Sequence, residues 1–199
     1  MTLLLGIPCA IGLLLLAGPM LATLFYSEAF NEHDVKMSTL SLMAYAPGLL
    51  AIMLIKILAP GFYARQDTRT PVRIGIIAMV ANMVFNIALV FPLAHAGLAL
   101  ATTLSSSLNA YLLYQGLRRD KVLMPKRGWT SLLLRASIAG IIMGGFLIWV
   151  AGDLNYWLNI EFWERIQYLV LWIGCAAMIY FLALLLMGVR PSHFRSGAH

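Results

Sequence analysis

The sequence predicts an all-α integral membrane protein with six transmembrane helices. Charged residues make up only 11% of its 199 residues, against about 25% in a soluble globular domain. Mean hydropathy is +0.85. The apolar residues gather into runs of about 20, the length of helix that crosses roughly 30 Å of hydrocarbon. Alternating strands of about ten residues are not seen, which argues against a transmembrane β-barrel.

The first helix is expected over about 2–26, broken by Pro8 and by Gly18-Pro19. It lacks a basic leading region and its apolar stretch is too long for a secretory signal, so it reads as a span. The second covers about 38–62, with Pro47 inside and Pro60 near its end. The third covers about 71–93 and starts at Pro71, a residue suited to a first helical turn. A tight turn from Pro92 to Gly97 leads to the fourth, which runs to about Leu117. The fifth covers about 130–151 and the sixth about 165–188. Prolines inside spans are tolerated where neighbours satisfy the freed carbonyls, and they suggest helices that bend around a cavity.

Loop charge is lopsided. Arg65, Arg69 and Arg73, the segment from Arg118 to Arg135, and Arg190 and Arg195 hold most of the 14 basic residues on one side. The other side holds Lys36 and Arg165 with most of the eight acids: Glu28, Glu32, Asp34, Asp153, Glu161 and Glu164. The positive-inside rule then places both termini and the Lys56–Arg73 turn in the cytoplasm, in a multi-pass membrane protein. Tyr156, Trp157, Phe162 and Trp163 read as an aromatic belt at the opposite interface. The basic connector 118–129 divides helices one to four, within 1–117, from a final two-helix hairpin over 130–189 and a tail over 190–199.

Several function classes drop out. The net charge of +6 sits in loops without interleaved aromatics, so it reports topology rather than nucleic-acid binding. Cys9 and Cys175 lie in apolar runs, with no disulfide framework and no metal spacing, and read as packing residues. Paired carboxylates, a Ser–His constellation and a nucleotide loop are all missing, so an enzyme is not expected and no cofactor is implied.

Polar residues inside the spans are the remaining candidates. Lys56 sits in an apolar segment four residues before Pro60. A lysine at the centre of a spanning helix costs about 2.5–3.5 kcal/mol, so Lys56 either snorkels to the surface or serves inside a cavity. His95, in a short outer turn, reads as interfacial. Asn82 and Asn86 share one helix face; Thr102, Ser105 or Ser106, and Asn109 form a stripe on the next helix. A tight turn brings the Asn82/Asn86 face near Thr102. Amide, hydroxyl and carbonyl oxygens are ligands that a hard cation such as Na⁺ takes. They also serve as interhelical glue worth about 0.6 kcal/mol per contact.

The stretch KILAPGFYARQDTRTPVRI, followed by PLAHAGLALATTLSSSLNAYLLY, closely resembles the MurJ (MviN) lipid II flippases of the multidrug/oligosaccharidyl-lipid/polysaccharide exporter superfamily. The resemblance implies that the six helices correspond to the ninth to fourteenth of a fourteen-helix, two-lobed transporter of lipid-linked peptidoglycan precursor working by alternating access. Residues 1–117 would then be the last four helices of the C-terminal lobe, and 130–189 the groove for the undecaprenyl tail. Lys56, Arg65, Arg69 and Arg73 would belong to the cytoplasmic gate. A Na⁺ site known in some members would fall on Asn82, Asn86, the backbone of Leu98, and Thr102. A family aspartate is an amide at Asn86, and another carboxylate ligand belongs to a helix outside this chain. Expected partners are lipid II, membrane lipids and, for a split gene product, the N-terminal helices. A chain of this length is expected to be a fragment or split product that does not transport alone. Two further readings stay open: another ion-coupled exporter of the same superfamily, which predicts carboxylates within the spans, and a non-transporting membrane scaffold.

Overall fold

The structure, a computed structural model, describes residues 2–27, 30–120, 122 and 129–188. Among these are seven helices and no named strand: α1 (Thr2–Leu15), α2 (Ala17–Phe25), α3 (Glu32–Tyr63), α4 (Arg69–Arg119), α5 (Trp129–Ala151), α6 (Leu154–Asn159) and α7 (Phe162–Leu186). Four of them, α3, α4, α5 and α7, are long and apolar enough to cross a membrane, and α1 with α2 makes a fifth if counted as one bent span. Most of the connector 118–129 and the tail 190–199 lie outside the described residues, as do the charges expected at Glu28, Lys121, Lys126, Arg127, Arg190 and Arg195.

Proline chemistry explains where the helices bend. The expected first helix is two helices, bent by 67° at Leu16. Pro19 has no N–H to give to the carbonyl of Leu15, and its ring crowds that carbonyl, so the axis breaks one turn upstream. Around the break, Leu16 N–H still donates to Gly12 O and Met20 N–H to Leu16 O, both at 2.8 Å. Pro8, by contrast, sits inside α1 without ending it. The carbonyl it deprives is that of Leu4, and that carbonyl accepts the Tyr180 hydroxyl at 2.7 Å instead.

The second helix starts six residues earlier than hydropathy suggested. Asn31 Oδ1 accepts from Asp34 N–H, and Asp34 Oδ2 accepts from Asn31 N–H, both at 3.1 Å. This reciprocal cap satisfies two orphan donors and extends the helix through a polar turn. Glu32 and Asp34 also suit the positive end of the α3 dipole.

The tight turn expected between Pro92 and Gly97 is narrower than that. Helix α4 breaks at one residue, Ala94, with φ 47° and ψ −125°. Those angles belong to the first central position of a type II′ turn, where glycine is usual. The limbs 69–93 and 95–119 fold back on each other, as the bond from Asn82 to Ser105 requires. A Cβ on Gly97 would collide with the Leu89 carbonyl, so only glycine permits this approach.

The described residues fall into two compact units, one drawn from 1–35 and 126–199, the other from 36–125. In the first, α1 packs on α5 and α7 around Leu4, Leu16, Ala136, Ala139, Met143, Leu147, Ala176, Tyr180 and Ala183. Positions 136, 139, 143 and 147 recur at helical spacing and form one face of α5. Contacts thus group the first span with the final hairpin. Between α5 and α7 lies the short α6, which hydropathy did not foresee. Its Trp157 is buried at 1% exposure and donates from Nε1 to Ala151 O. Of the expected aromatic belt, only Tyr156, Phe162 and Trp163 are exposed.

In the second unit, α3 lies against the 95–119 limb. Leu58, Phe62, Ile74, Leu113 and Leu117 form its core. Higher on the same contact Thr103 Oγ1 donates to Ala44 O at 2.8 Å, one turn before Pro47. Gly48 faces Thr103 so closely that a Cβ would sit 2.6 Å from Oγ1. Small residues and side-chain bonds of this kind associate helices where lipid supplies no hydrophobic drive.

Candidate functional site

The polar residues of α4 meet where its two limbs face each other. Asn86 Nδ2 donates to Asn82 Oδ1 at 2.9 Å, and Asn82 Nδ2 donates to Ser105 Oγ at 3.0 Å. Ser105 Oγ in turn donates to the Thr102 carbonyl at 3.0 Å. Thr102 Oγ1 donates to the Leu98 carbonyl at 3.0 Å. All four residues expected to ligate a cation are therefore tied into two adjoining pairs, Asn82 with Asn86 and Thr102 with Leu98. Ser105, one of two serines the stripe allowed, joins them. One atom is left over: Asn86 Oδ1 is buried and has no hydrogen-bond donor among the described residues. A buried acceptor without a partner costs about 1–3 kcal/mol, so this oxygen is suited to a bound donor or cation.

The basic turn is built differently from the polar cluster. Helix α3 ends at Tyr63, and the chain reverses through Gln66 with φ 60°, where Asp67 N–H returns to Phe62 O at 3.1 Å. Asp67 Oδ1 accepts from Thr70 N–H at 3.0 Å and so starts α4. Hydrogen bonds from the Thr70 side chain and backbone hold the Asp67 carboxyl below the usual carboxylate range. Arg65 pairs with Asp120 at 2.7 Å, tying the end of α3 to the end of α4. Both side chains are over a third exposed, so the pair contributes at most about 1 kcal/mol. Arg69, Arg73 and Lys56 are exposed. The structure does not bring Lys56 to the Asn82–Asn86 pair through any bond among the described residues.

The first unit contains an apolar cavity of about 320 Å³. Leu5, Pro8 and Gly12 of α1, Met20 of α2, Met143 and Leu147 of α5, and Ala177 and Phe181 of α7 line it. Tyr180 and Cys9 also border it, but the Tyr180 hydroxyl is already spent on Leu4. A site with so few free polar groups fits hydrocarbon and penalises polar ligands.

Two residues of this unit escaped sequence reasoning. Arg165, read as an outer loop charge, is only 7% exposed. It donates from Nε to Ile160 O at 3.0 Å, from Nη1 to Ala22 O at 3.1 Å and from Nη2 to Leu158 O at 2.9 Å. Its guanidinium also lies over the Tyr26 ring, 5.0 Å from the centroid. Its partners are carbonyls, which leave no mark in a sequence. Tyr180 was legible in principle, because Pro8 implies a carbonyl at Leu4 in need of a donor. Among the described residues no group of three or more His, Cys, Asp or Glu side chains could hold a metal.

Comparison with known proteins gives these sites a context. A family model described as lipid II flippase MurJ matches residues 1–168. The chain is 47% identical over 193 residues to a probable lipid II flippase MurJ of Haemophilus influenzae, covering 97% of this chain and 38% of that protein. It is 45% identical over 186 residues to a probable lipid II flippase MurJ of Vibrio cholerae, covering 94% and 35%. A lipid II flippase MurJ of Burkholderia cenocepacia is 36% identical over 198 residues, covering 99% and 38%. The chain therefore spans somewhat over a third of the length of these relatives, whose names describe transport rather than catalysis. With the family model matching most of the chain and its helices long enough to span a bilayer, the protein is a multi-pass membrane protein that belongs to the lipid II flippase MurJ family.

Proposed function

We propose that the chain is the C-terminal part of a lipid II flippase that works by alternating access. The observation that carries this is the match to named flippases over nearly the whole chain. Counting the two limbs of α4 separately and α1–α2 as one bent span gives six crossings, in keeping with the ninth to fourteenth helices of such a transporter. On this reading both termini and the basic turn face the cytoplasm of a bacterial inner membrane. Lys56, Arg65, Arg69 and Arg73 belong to the gate on that side. The hairpin 130–189 accepts the undecaprenyl tail of lipid II, and the 320 Å³ cavity on its inner face supports this role. A chain with somewhat over a third of its relatives' length needs the remaining helices to enclose a transport cavity, and does not flip lipid II alone.

The orphaned Asn86 Oδ1 fits a monovalent cation, which Asn82, Asn86, Thr102 and the Leu98 carbonyl would hold. A bound Na⁺ supplies the positive charge these oxygens lack, and the chain contributes their fixed placement between two limbs of one helix.

Lys56→Ala in the full-length protein tests the gate: at equal expression it should fail to rescue growth of a flippase-depleted strain. Full rescue would reduce Lys56 to a snorkelling anchor. Asn86→Leu tests the ion site and should remove any Na⁺-dependent rise in melting temperature. A Na⁺ response retained in that variant would overturn the assignment.

A further inference from the structure

Arg165 stands at the wrong end of its own helix. A cation in the first turns of α7 opposes that helix's dipole, and within a membrane protein a buried ionisable group is a functional candidate by default. Its bonds explain the position. Ala22 lies in the last turn of α2, Leu158 in the last turn of α6, and Ile160 caps α6. One guanidinium thus serves the carbonyl-rich, negative ends of two other helices, through three nitrogens of a rigid fork. Thr23 is unavailable for this, because its hydroxyl turns back to Pro19 O at 2.7 Å.

The 67° bend at Leu16 gives this bond its consequence. Helix α2 leaves α1 at a proline-weakened joint and carries Met20, which lines the apolar cavity beside Leu16. At the other end of the bent span, Tyr180 of α7 holds Leu4 of α1. So α7 grips both halves of the span, and the outer grip is Arg165.

We propose that Arg165 is a positioning residue that latches α2 over the apolar cavity and so keeps the first span bent. Its purpose rests on the reading of that cavity as the place of the lipid tail; its geometry does not. With the latch intact, α2 is one fixed wall. Without it, α2 keeps only its apolar packing around Leu21 and Ala22 against α6 and α7, and the joint at Leu16 gains freedom to open.

The test measures distances between spin labels in this chain reconstituted in lipid nanodiscs, with Cys9 and Cys175 replaced by Ala. One labelled pair combines Leu24→Cys on α2 with Val170→Cys on α7, both exposed positions. A second pair combines Ile141→Cys on α5 with Met178→Cys on α7, also exposed and away from the cavity. The parent should give one narrow distribution for each pair. Arg165→Gln and Arg165→Lys should both broaden and lengthen the first distribution and leave the second unchanged, since lysine keeps the charge but not the fork. An unchanged first distribution in both variants overturns the latch. Broadening of both pairs together also overturns it, because Arg165 would then support the whole unit rather than α2. No lipid II is present in the measurement, so its outcome is separate from that of the transport reading.

Discussion

Tyr180→Phe removes one oxygen from a site where the backbone has no substitute. Tyr180 is 1% exposed and Leu4 8% exposed, so water does not replace the hydroxyl at the Leu4 carbonyl. The usual helical donor for that carbonyl would be the N–H of residue 8, which is proline. Leaving a buried carbonyl unpaired costs about 1–3 kcal/mol. Interhelical bonds in membranes average about 0.6 and reach about 1.7 kcal/mol, because separated helices find other partners. Here the separated α1 has no internal partner to offer, so the upper part of the membrane range applies and we expect about 1–1.5 kcal/mol. A double-mutant cycle with Pro8→Ala isolates the cause. Alanine restores an N–H to residue 8, and Tyr180→Phe should then cost less than half as much. Reversible unfolding in mixed micelles, monitored by circular dichroism, gives the four free energies. Equal costs of Tyr180→Phe in the parent and Pro8→Ala backgrounds would refute the claim that the hydroxyl replaces the bond proline removes.

Three other outcomes follow from single positions. Ala94→Gly should raise stability by about 1 kcal/mol, because alanine at φ 47° carries a steric penalty of roughly 1–2 kcal/mol that glycine lacks; a lower melting temperature would contradict the assigned turn. Gly12→Leu should fill the apolar cavity, since a Cβ at Gly12 meets nothing within 4 Å. It should gain about 0.5–1 kcal/mol of helix propensity while weakening binding of a fluorescent isoprenoid chain, and undiminished binding would place the chain elsewhere. The Asp67 carboxyl titrates below its unfolded value, so the unfolded state binds more protons as pH falls. The stabilisation by Asp67 is present above about pH 3.9 and is lost below it as the carboxyl protonates. Asp67→Asn should flatten stability against pH in that window, and an unaltered profile would mean the cap to Thr70 contributes nothing.

What the residues disclosed in advance depended on how local the cause was. Hydropathy marked every long helix, because the apolar run and the span are the same thing. It missed the start of α3, where Asn31 and Asp34 cap each other in a turn that is polar throughout. It anticipated the fold-back of α4 but not its economy, since nothing in PLAHAG says that a single alanine completes the reversal. The juxtaposition of Asn82 and Asn86 with the Thr102 stripe followed from helical spacing and one turn. The choice of Ser105 over Ser106 depended on the rotation of the limb. Arg165 stayed hidden because its partners are carbonyls, one of them 143 residues away, whereas Tyr180 could be traced only through the proline that frees the Leu4 carbonyl 176 residues away. Backbone acceptors are identical at every position and leave no compositional trace.

The chain of bonds across the limbs of α4 has a direction, and one atom imposes it. The Thr102 carbonyl can only accept, so Ser105 must give it its proton. Ser105 must then receive from Asn82, and Asn82 can offer only its oxygen to Asn86. The sense of both amides is thus dictated from the far end by a peptide group that cannot turn over. The open terminus at Asn86 is negative in character by construction. Reversing it to greet an anion would require three side chains to flip in concert against a fixed backbone, so the sign of whatever completes this chain is written into the helix itself.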